Sequence, residues 1–178
     1  MCIRDRFTFL GAFFYAIVYT VWLKRRTWLN IVFGGLAGSW AVLAGASAAD
    51  PHVGAVPLAL ALVLFLWTPP HFWSLAIAFR DDYAAAGVPM LPVVVGDQRA
   101  AKVIFGGTLA LVAASMLPLA FGLGAIYLAG AATGGFLFIQ KAWRLVQDTN
   151  RASAMACFHA SLAQLTLVLT AAIIDARF

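Results

Sequence analysis

Long apolar runs separated by short polar segments dominate the chain. Six such runs cover residues 7–23, 29–48, 54–79, 103–119, 123–146 and 154–174. A membrane-spanning helix needs about 20 apolar residues, because about 30 Å of hydrocarbon is crossed at about 1.5 Å per residue. The runs lack the alternation of apolar and polar residues that is typical of membrane strands. The pattern therefore predicts an all-α, polytopic membrane helix bundle with six transmembrane helices.

The composition supports the same environment. Of 178 residues, 63% are hydrophobic and 11% are charged, whereas soluble domains are about half apolar and about a quarter charged. These values exclude an ordinary soluble domain and a disordered chain, and they indicate a lipid bilayer. The net charge of +5 lies in short loops rather than on a soluble face, so we expect no nucleic-acid partner.

The charges are divided unequally between the two sides of the predicted membrane. One side, called here the charged side, holds all of the net charge of +5 and nine of the twelve basic residues: Lys24, Arg25, Arg26, Arg80, Arg99, Lys102, Lys141, Arg144 and Arg151. Basic loop residues are enriched on the cytoplasmic side of membrane proteins. We therefore expect the charged side to be cytoplasmic and both chain ends to face outward.

The first six residues differ from the rest of the chain. Residues 1–6 read MCIRDR, and the apolar run begins abruptly at Phe7. This segment is similar to a translated sequencing-adapter end. We therefore expect residues 1–6 to be a non-native stub and residues 7–178 to form an incomplete transmembrane domain.

A basic cluster follows the first apolar run. Lys24, Arg25 and Arg26 are consecutive, and Asn30 closes the segment. Three cations at a membrane boundary serve either as a topology anchor or as an anion clamp, because guanidinium groups bind phosphate oxygens in pairs. Sequence position alone leaves both interpretations open.

A second cluster lies in the third run, near the end that meets the charged side, where residues 67–73 read WTPPHFW. Prolines interrupt the helical hydrogen-bond ladder, and an intramembrane histidine is a candidate functional residue. His71 is therefore a candidate site residue, the alternative being a histidine bonded to a neighbouring helix. The three aromatic residues alternatively form an interfacial belt.

The third cluster opens the longest loop, with Arg80, Asp81, Asp82 and Tyr83 in sequence. Magnesium is typically bound by one or two carboxylates together with substrate phosphates, so the aspartate pair is a candidate Mg²⁺ site and Arg80 a candidate ligand for a polyanion. Further along, Asp97 is expected to cap the fourth helix.

Three segments together carry a resemblance to a known family. They are YTVWLKRRTWLNIVFGG at 19–35, LWTPPHFWSLAIAFRDDY at 66–83 and AGVPMLPVV at 86–94. They closely resemble the protohaem IX farnesyltransferases, or haem O synthases, a branch of the UbiA-type intramembrane prenyltransferases. The resemblance implies a nine-helix fold, of which the six runs here match helices four to nine.

The resemblance also implies an activity and a set of site residues. The reaction would transfer a farnesyl group from farnesyl diphosphate to a vinyl group of haem B, giving haem O, with Mg²⁺ assisting. A bacterial-type inner membrane and terminal-oxidase assembly partners are implied as well. By motif match, Asp81 and Asp82 would bind Mg²⁺ and diphosphate. The other implied roles are diphosphate or propionate binding by Lys24, Arg25 and Arg26, haem contact by His71 and support of the site by Tyr83.

Two departures from the family pattern stand out. The first acidic motif of the family, Asn-x-x-x-Asp-x-x-x-Asp, does not occur here, so we expect this chain to be inactive alone. Ser39 and Trp40 also stand where the family commonly has two prolines. The alternatives are a UbiA-type prenyltransferase for a quinone or chlorin precursor, and a fragment of a membrane transporter. A bare structural subunit would not explain a long loop with both acids and bases.

Overall fold

A computed structural model describes residues 2–177, and within this range the chain is helical and contains no strand. The elements in chain order are α1 Ile3–Phe13, a π-helical segment Phe14–Leu23, α2 Asn30–Ala49, α3 Ala55–Ala78, α4 Arg80–Ala85, α5 Leu91–Val95, α6 Asp97–Ala114, α7 Leu117–Ala120, α8 Ala125–Gln147 and α9 Arg151–Asp175. The prediction of an all-α membrane bundle is confirmed.

Five helical stretches are long and apolar enough to cross a membrane: Ile3–Leu23, Asn30–Ala49, Ala55–Ala78, Asp97–Ala120 and Arg151–Asp175. The fifth predicted run, 123–146, corresponds to α8, which has 23 residues but contains three glycines, two glutamines, a lysine and an arginine. Helix α8 lies antiparallel along α9. Asp175, at the end of α9, accepts hydrogen bonds from the backbone of Gly124, Ile126 and Tyr127, at the start of α8. Helix α8 therefore has the length and position of a sixth crossing.

The first crossing begins earlier than the apolar pattern indicates. Helix α1 starts at Ile3, so four residues of the expected stub continue the first span as regular helix. Met1 lies outside the described residues. The non-native origin of residues 1–6 stays a prediction.

Close packing between α8 and α9 depends on small residues. A Cβ atom added to Gly134 would lie 2.9 Å from the Cα atom of Gln164, which is backbone and cannot rotate away. In a bilayer, small residues at such contacts let helices approach closely and gain van der Waals energy. Gly134 therefore sets the distance between the two helices.

We expect Gly134→Ala to destabilise the folded protein by about 1–3 kcal/mol, because overpacking forces neighbouring backbone to move. Gly106→Ala is the matched control, since a Cβ there would meet no atom within 4 Å. Thermal unfolding in detergent measures both variants. Equal melting temperatures for the two variants would contradict the close-contact interpretation.

The segment Phe14–Leu23 is a π-helix of ten residues. Its wider turn is visible where the backbone N–H of Lys24 donates to the carbonyl of Tyr19, five residues earlier, at 2.8 Å. In an α-helix with 3.6 residues per turn, Lys24 would be rotated by about 140° from Tyr19. The π-helical register instead places Lys24 above Tyr19, on the same face of the helix.

Helix α3 is central, packing against α2, α6 and α9, and continues through Pro69 and Pro70. It ends at Ala78, because Phe79 leaves the helical conformation with φ −125° and ψ 35°. Two short helices, α4 and α5, then occupy the segment that the sequence indicates as a loop. One continuous helical face therefore does not run from His71 to Asp82, because the helix is interrupted at Phe79.

Candidate functional site

The charged-side loops meet at one end of the bundle and form a pocket of about 380 Å³. This pocket, called here the Lys24 pocket, is lined by Lys24, Phe79, Asp82, Tyr83, Ala86 and Val88. Burial raises the pKa of the Tyr83 hydroxyl above its usual value, because removal from water disfavours the phenolate. Tyr83 therefore remains a neutral hydrogen-bond donor beside Lys24 and Asp82. The structure brings together three of the residues singled out from the sequence.

A second pocket, of about 280 Å³, lies deeper between the π-helical segment, α2 and α3. It is called here the aromatic pocket and is lined by Tyr15, Tyr19, Thr20, Lys24, Ile31, Gly34, Thr68 and Phe72. The rings of Tyr15 and Tyr19 lie 6.0 Å apart along one wall. Lys24 lines both this pocket and the Lys24 pocket. The two cavities therefore offer an apolar chamber with a cation at its polar end.

The wall of the aromatic pocket depends on a glycine. A Cβ atom added to Gly34 would lie 2.9 Å from Cδ2 of Tyr19, so the tyrosine ring lies flat against α2 only because Gly34 has no side chain. A larger residue would push the ring out of its present position, and the ring is part of the pocket lining.

We expect Gly34→Ala to weaken binding of a long apolar ligand in this pocket by roughly tenfold, since one displaced ring contact is worth on the order of 1 kcal/mol. Gly45→Ala, on the same helix, meets no atom within 4 Å and serves as the control. Equilibrium binding of farnesyl diphosphate, the ligand that the sequence resemblance implies, to the protein in lipid nanodiscs measures the effect. Identical affinities in both variants would remove the Gly34 contact from the site.

A third pocket, of about 470 Å³, is the most polar and is called here the acidic pocket. It is lined by Ile77, Ala78, Phe79, Arg80, Asp81, Asp82, Asp97 and Arg151. The Arg80 guanidinium lies 3.5 Å from the Asp97 carboxylate, and the Arg151 guanidinium lies 5.0 Å above the Phe79 ring. Asp82 lines this pocket as well as the Lys24 pocket, so the two cavities share one carboxylate.

Two residues of the acidic pocket were missed by sequence reasoning. The prediction that Asp97 caps the helix of the fourth apolar run was wrong. This helix is α6, Gly96 holds its cap position, and Asp97 is its first residue. Arg151 reads in the sequence as one more basic loop residue, and only the return of α9 to Phe79 reveals its position. No local signal in the sequence could have identified either residue.

The acidic pocket offers only part of a metal coordination shell. Asp81 and Asp82 lie in the first turn of α4 with exposed side chains. Among residues 2–177, no group of three or more His, Cys, Asp or Glu side chains is placed to hold a metal ion. Two carboxylates with open positions fit Mg²⁺ bound together with a phosphorylated ligand, since this ion usually keeps water and substrate oxygens as ligands.

The remaining basic residues lie beside this region. Arg25 and Arg26 are exposed and line a cavity of about 360 Å³ with the loop before α5. Asn30, in contrast, is fully buried, and its Nδ2 donates to the carbonyl of Lys24 at 3.0 Å. Asn30 therefore holds the backbone of Lys24 and lines neither pocket that contains this lysine.

His71 lies apart from the charged residues, at the interface between α3 and α9. The side chain is only 6% exposed and lines none of the pockets above. Its ring is stacked between Trp67, at a centroid distance of 4.0 Å, and Phe158, at 4.5 Å. Nδ1 lies 2.7 Å from Oγ of Ser161. The structure thus shows the bonded environment that the alternative interpretation of His71 anticipated, without assigning its role in binding.

Comparison with known proteins adds independent information. Protoheme IX farnesyltransferase 2 of Paramagnetospirillum magneticum is 59% identical over 167 residues, which cover 94% of this chain and 58% of that protein. Protoheme IX farnesyltransferase 1 of the same organism is 54% identical, covering 94% and 59%. Protoheme IX farnesyltransferase 1 of Cenarchaeum symbiosum is 43% identical, covering 97% and 58%. The chain therefore spans somewhat under two thirds of the length of these relatives. No solved structure matches the chain.

The family assignment covers nearly the whole sequence. The model of the UbiA prenyltransferase family matches residues 6–167, which include all three pockets and every candidate residue. The sequence resemblance to UbiA-type prenyltransferases is thereby confirmed, and the helical architecture agrees with an integral membrane protein. The chain belongs to the UbiA prenyltransferase family.

Proposed function

We propose that this chain is the part of a protohaem IX farnesyltransferase that transfers farnesyl from farnesyl diphosphate to a vinyl group of haem B, giving haem O. One observation carries the proposal: Lys24 stands at the junction of an aromatic pocket and a polar pocket that contains Asp82 and Tyr83. A prenyl diphosphate has the same division, with an apolar chain joined to a polyanionic head. The relatives named protoheme IX farnesyltransferase support this substrate class.

The chemistry required at the head group is stabilisation of a leaving anion. The C–O bond breaks with its electrons going to diphosphate, and the vinyl group supplies the pair for the new C–C bond. The other vinyl carbon is left cationic, and water adds to it with loss of a proton to solvent, which gives the hydroxyalkyl group of haem O. We propose that the Lys24 ammonium and the neutral Tyr83 hydroxyl, which line the same pocket, bind the departing oxygens and lower the barrier where negative charge develops. Mg²⁺, held by Asp81 and Asp82 with the diphosphate, would supply further neutralisation of that charge.

The reaction also requires that the allylic cation be protected from water, and we propose that the aromatic pocket provides this protection. An allylic cation is destroyed by water unless the cavity is dry, and faces of aromatic rings stabilise cations by electrostatic attraction. Tyr15, Tyr19 and Phe72 line the same pocket as Lys24. We propose that they surround the prenyl chain and shield the reacting carbon.

The haem component involves a second set of residues. Arg25 and Arg26 are exposed cations beside the site, and we propose that they bind the propionates, with Arg80 available to a second anion. His71 is the proposed haem-contacting side chain. The charged side is proposed to face the cytoplasm in a bacterial-type inner membrane, with terminal-oxidase assembly proteins as partners that receive haem O.

Two alternatives from the sequence compare less well with these findings. Membership in a prenyltransferase family favours an enzyme over a transporter. Two observations favour haem over a quinone or chlorin acceptor. The segment 67–73 resembles the haem branch, and the relatives are named protoheme IX farnesyltransferase.

A chimeric enzyme tests the proposal. In it, residues 7–178 replace the matching segment of Protoheme IX farnesyltransferase 2 of Paramagnetospirillum magneticum, and the product is assayed from haem B and farnesyl diphosphate with Mg²⁺. We expect the chimera to form haem O and the 178-residue chain alone to form none, because the chain lacks the first acidic motif. A folded chimera that binds substrates but forms no haem O, beside an active parent, would overturn the proposal.

A further inference from the structure

Ser161 makes two short contacts within the bundle that together determine the position of a proton. Its Oγ lies 2.6 Å from the carbonyl oxygen of Phe158 and 2.7 Å from Nδ1 of His71. A serine hydroxyl has one proton to donate, and a carbonyl oxygen can only accept. The contact with Phe158 therefore uses the serine proton, and Nδ1 of His71 must carry a hydrogen that it donates to Oγ.

The opposite assignment leaves an uncompensated repulsion. If Ser161 donated its proton to His71, two oxygen lone pairs would face each other across 2.6 Å in a site where Ser161 is fully buried. Unsatisfied polar contacts of this kind are costly in a buried site, because the groups have been removed from bulk water. Only the Nδ1–H form of His71 satisfies both contacts.

The ring plane is fixed by the same residues. Trp67 stacks on one face of His71 with an interplanar angle of 20°, and Phe158 stacks on the other at 24°. The Trp67 indole N–H in turn donates to the backbone carbonyl of Ser161 at 2.8 Å. The orientation of the imidazole is therefore settled by the packing of α3 against α9 before any ligand arrives.

We infer that Ser161 is a positioning residue, which holds neutral His71 in the Nδ1–H tautomer and leaves Nε2 as the nitrogen with a free lone pair. An imidazole prepared in this way suits the metal centre of a metalloporphyrin, because the partner of the other ring nitrogen selects the tautomer and orients the ring. The nature of this ligand rests on the proposed function. The hydrogen on Nδ1 rests on the contacts of Ser161, and the neutral state of the ring rests on the burial of His71 between Trp67 and Phe158, because burial disfavours the charged form.

Nuclear magnetic resonance of the full chain in lipid nanodiscs, labelled with ¹⁵N-histidine, tests the inference. His52, His71 and His159 are the three histidines, and His71→Gln assigns the signal of interest. We expect one His71 species protonated at Nδ1. Ser161→Ala should convert it to a mixture of tautomers, while Ser39→Ala, which removes a buried serine contact between α2 and α3, should leave it unchanged.

The outcomes separate the inference from the proposed function. A His71 ring protonated at Nε2 in the unsubstituted chain, or an unchanged single tautomer in folded Ser161→Ala, would overturn the inference. Should Ser161→Ala fail to fold, the unsubstituted chain alone decides. Titration of the same variants with ferric haem B is the second part of the test. Loss of the residue that orients a metal-binding histidine, as in Ser161→Ala, typically lowers affinity by about 10–100-fold. An Nδ1–H ring with haem binding unaffected by His71→Gln would sustain the tautomer and remove the haem role.

Discussion

Replacing Asp82 with alanine is expected to reduce haem O formation in the chimeric enzyme by about 10²–10³-fold, the loss typical of removing one group that stabilises charge in the transition state. Asp82 is common to the Lys24 pocket and the acidic pocket, so no other carboxylate of the site is as central. Product formation is measured by chromatography of extracted haems. Asp82→Asn, which keeps the shape but loses the charge, should show most of the same loss.

Binding of haem B should remain within about twofold in Asp82→Ala, since His71 lies apart from this carboxylate at the interface between α3 and α9. The matched control is Asp50→Ala, an exposed carboxylate in the loop after α2, where substitution should change stability by no more than about 0.5 kcal/mol. Full activity of Asp82→Ala would remove the residue from the metal and diphosphate site.

Lys24→Met in the chimeric enzyme is expected to lower kcat/KM for farnesyl diphosphate by about 10²-fold, because the proposed charge-assisted contacts of the ammonium with the diphosphate cannot be replaced by a thioether. Methionine keeps much of the length and apolar character of the lysine stem, so the walls of the aromatic pocket should remain intact. Steady-state kinetics over a range of farnesyl diphosphate concentrations measures the change. Lys24→Arg should recover part of the loss, since the charge returns with a different geometry.

The comparison variant for this experiment is Lys141→Met in α8, another charged-side lysine that lines none of the described pockets. Its kinetics should match those of the unsubstituted enzyme. Similar losses in Lys24→Met and Lys141→Met would indicate a general electrostatic effect of the charged side rather than a contact in the site.

The membrane architecture could be predicted because a bilayer imposes one simple rule, a long apolar run for each crossing. The π-helical register of residues 14–23 could not, because it depends on backbone hydrogen bonds that leave no mark in hydropathy. The same is true of α4 and α5, since their short sequences carry no helical period of their own. Helix α8 was predicted correctly as a helix although its glycines lower its hydropathy.

Only some residues of the candidate site could be predicted from the sequence, because some lie in conspicuous polar clusters and others do not. Lys24, Asp82 and Tyr83 belong to charged or polar clusters at membrane boundaries, and such clusters stand out against apolar runs. Asp97 and Arg151 carry no comparable signal, since each reaches the acidic pocket through the packing of a helix that is distant in sequence. Ser161 is similarly one small polar residue in an apolar helix until the structure places it against His71.

The Lys24 pocket shares Asp82 with the acidic pocket and Lys24 with the aromatic pocket, and this sharing has a thermodynamic consequence. A ligand that engages a shared side chain from one pocket changes the free energy of binding in the adjoining pocket. This coupling is reciprocal, because the factor by which one ligand alters the affinity of the second must equal the factor in the opposite direction. Dissociation constants measured for each ligand alone will therefore differ from those of the ternary complex.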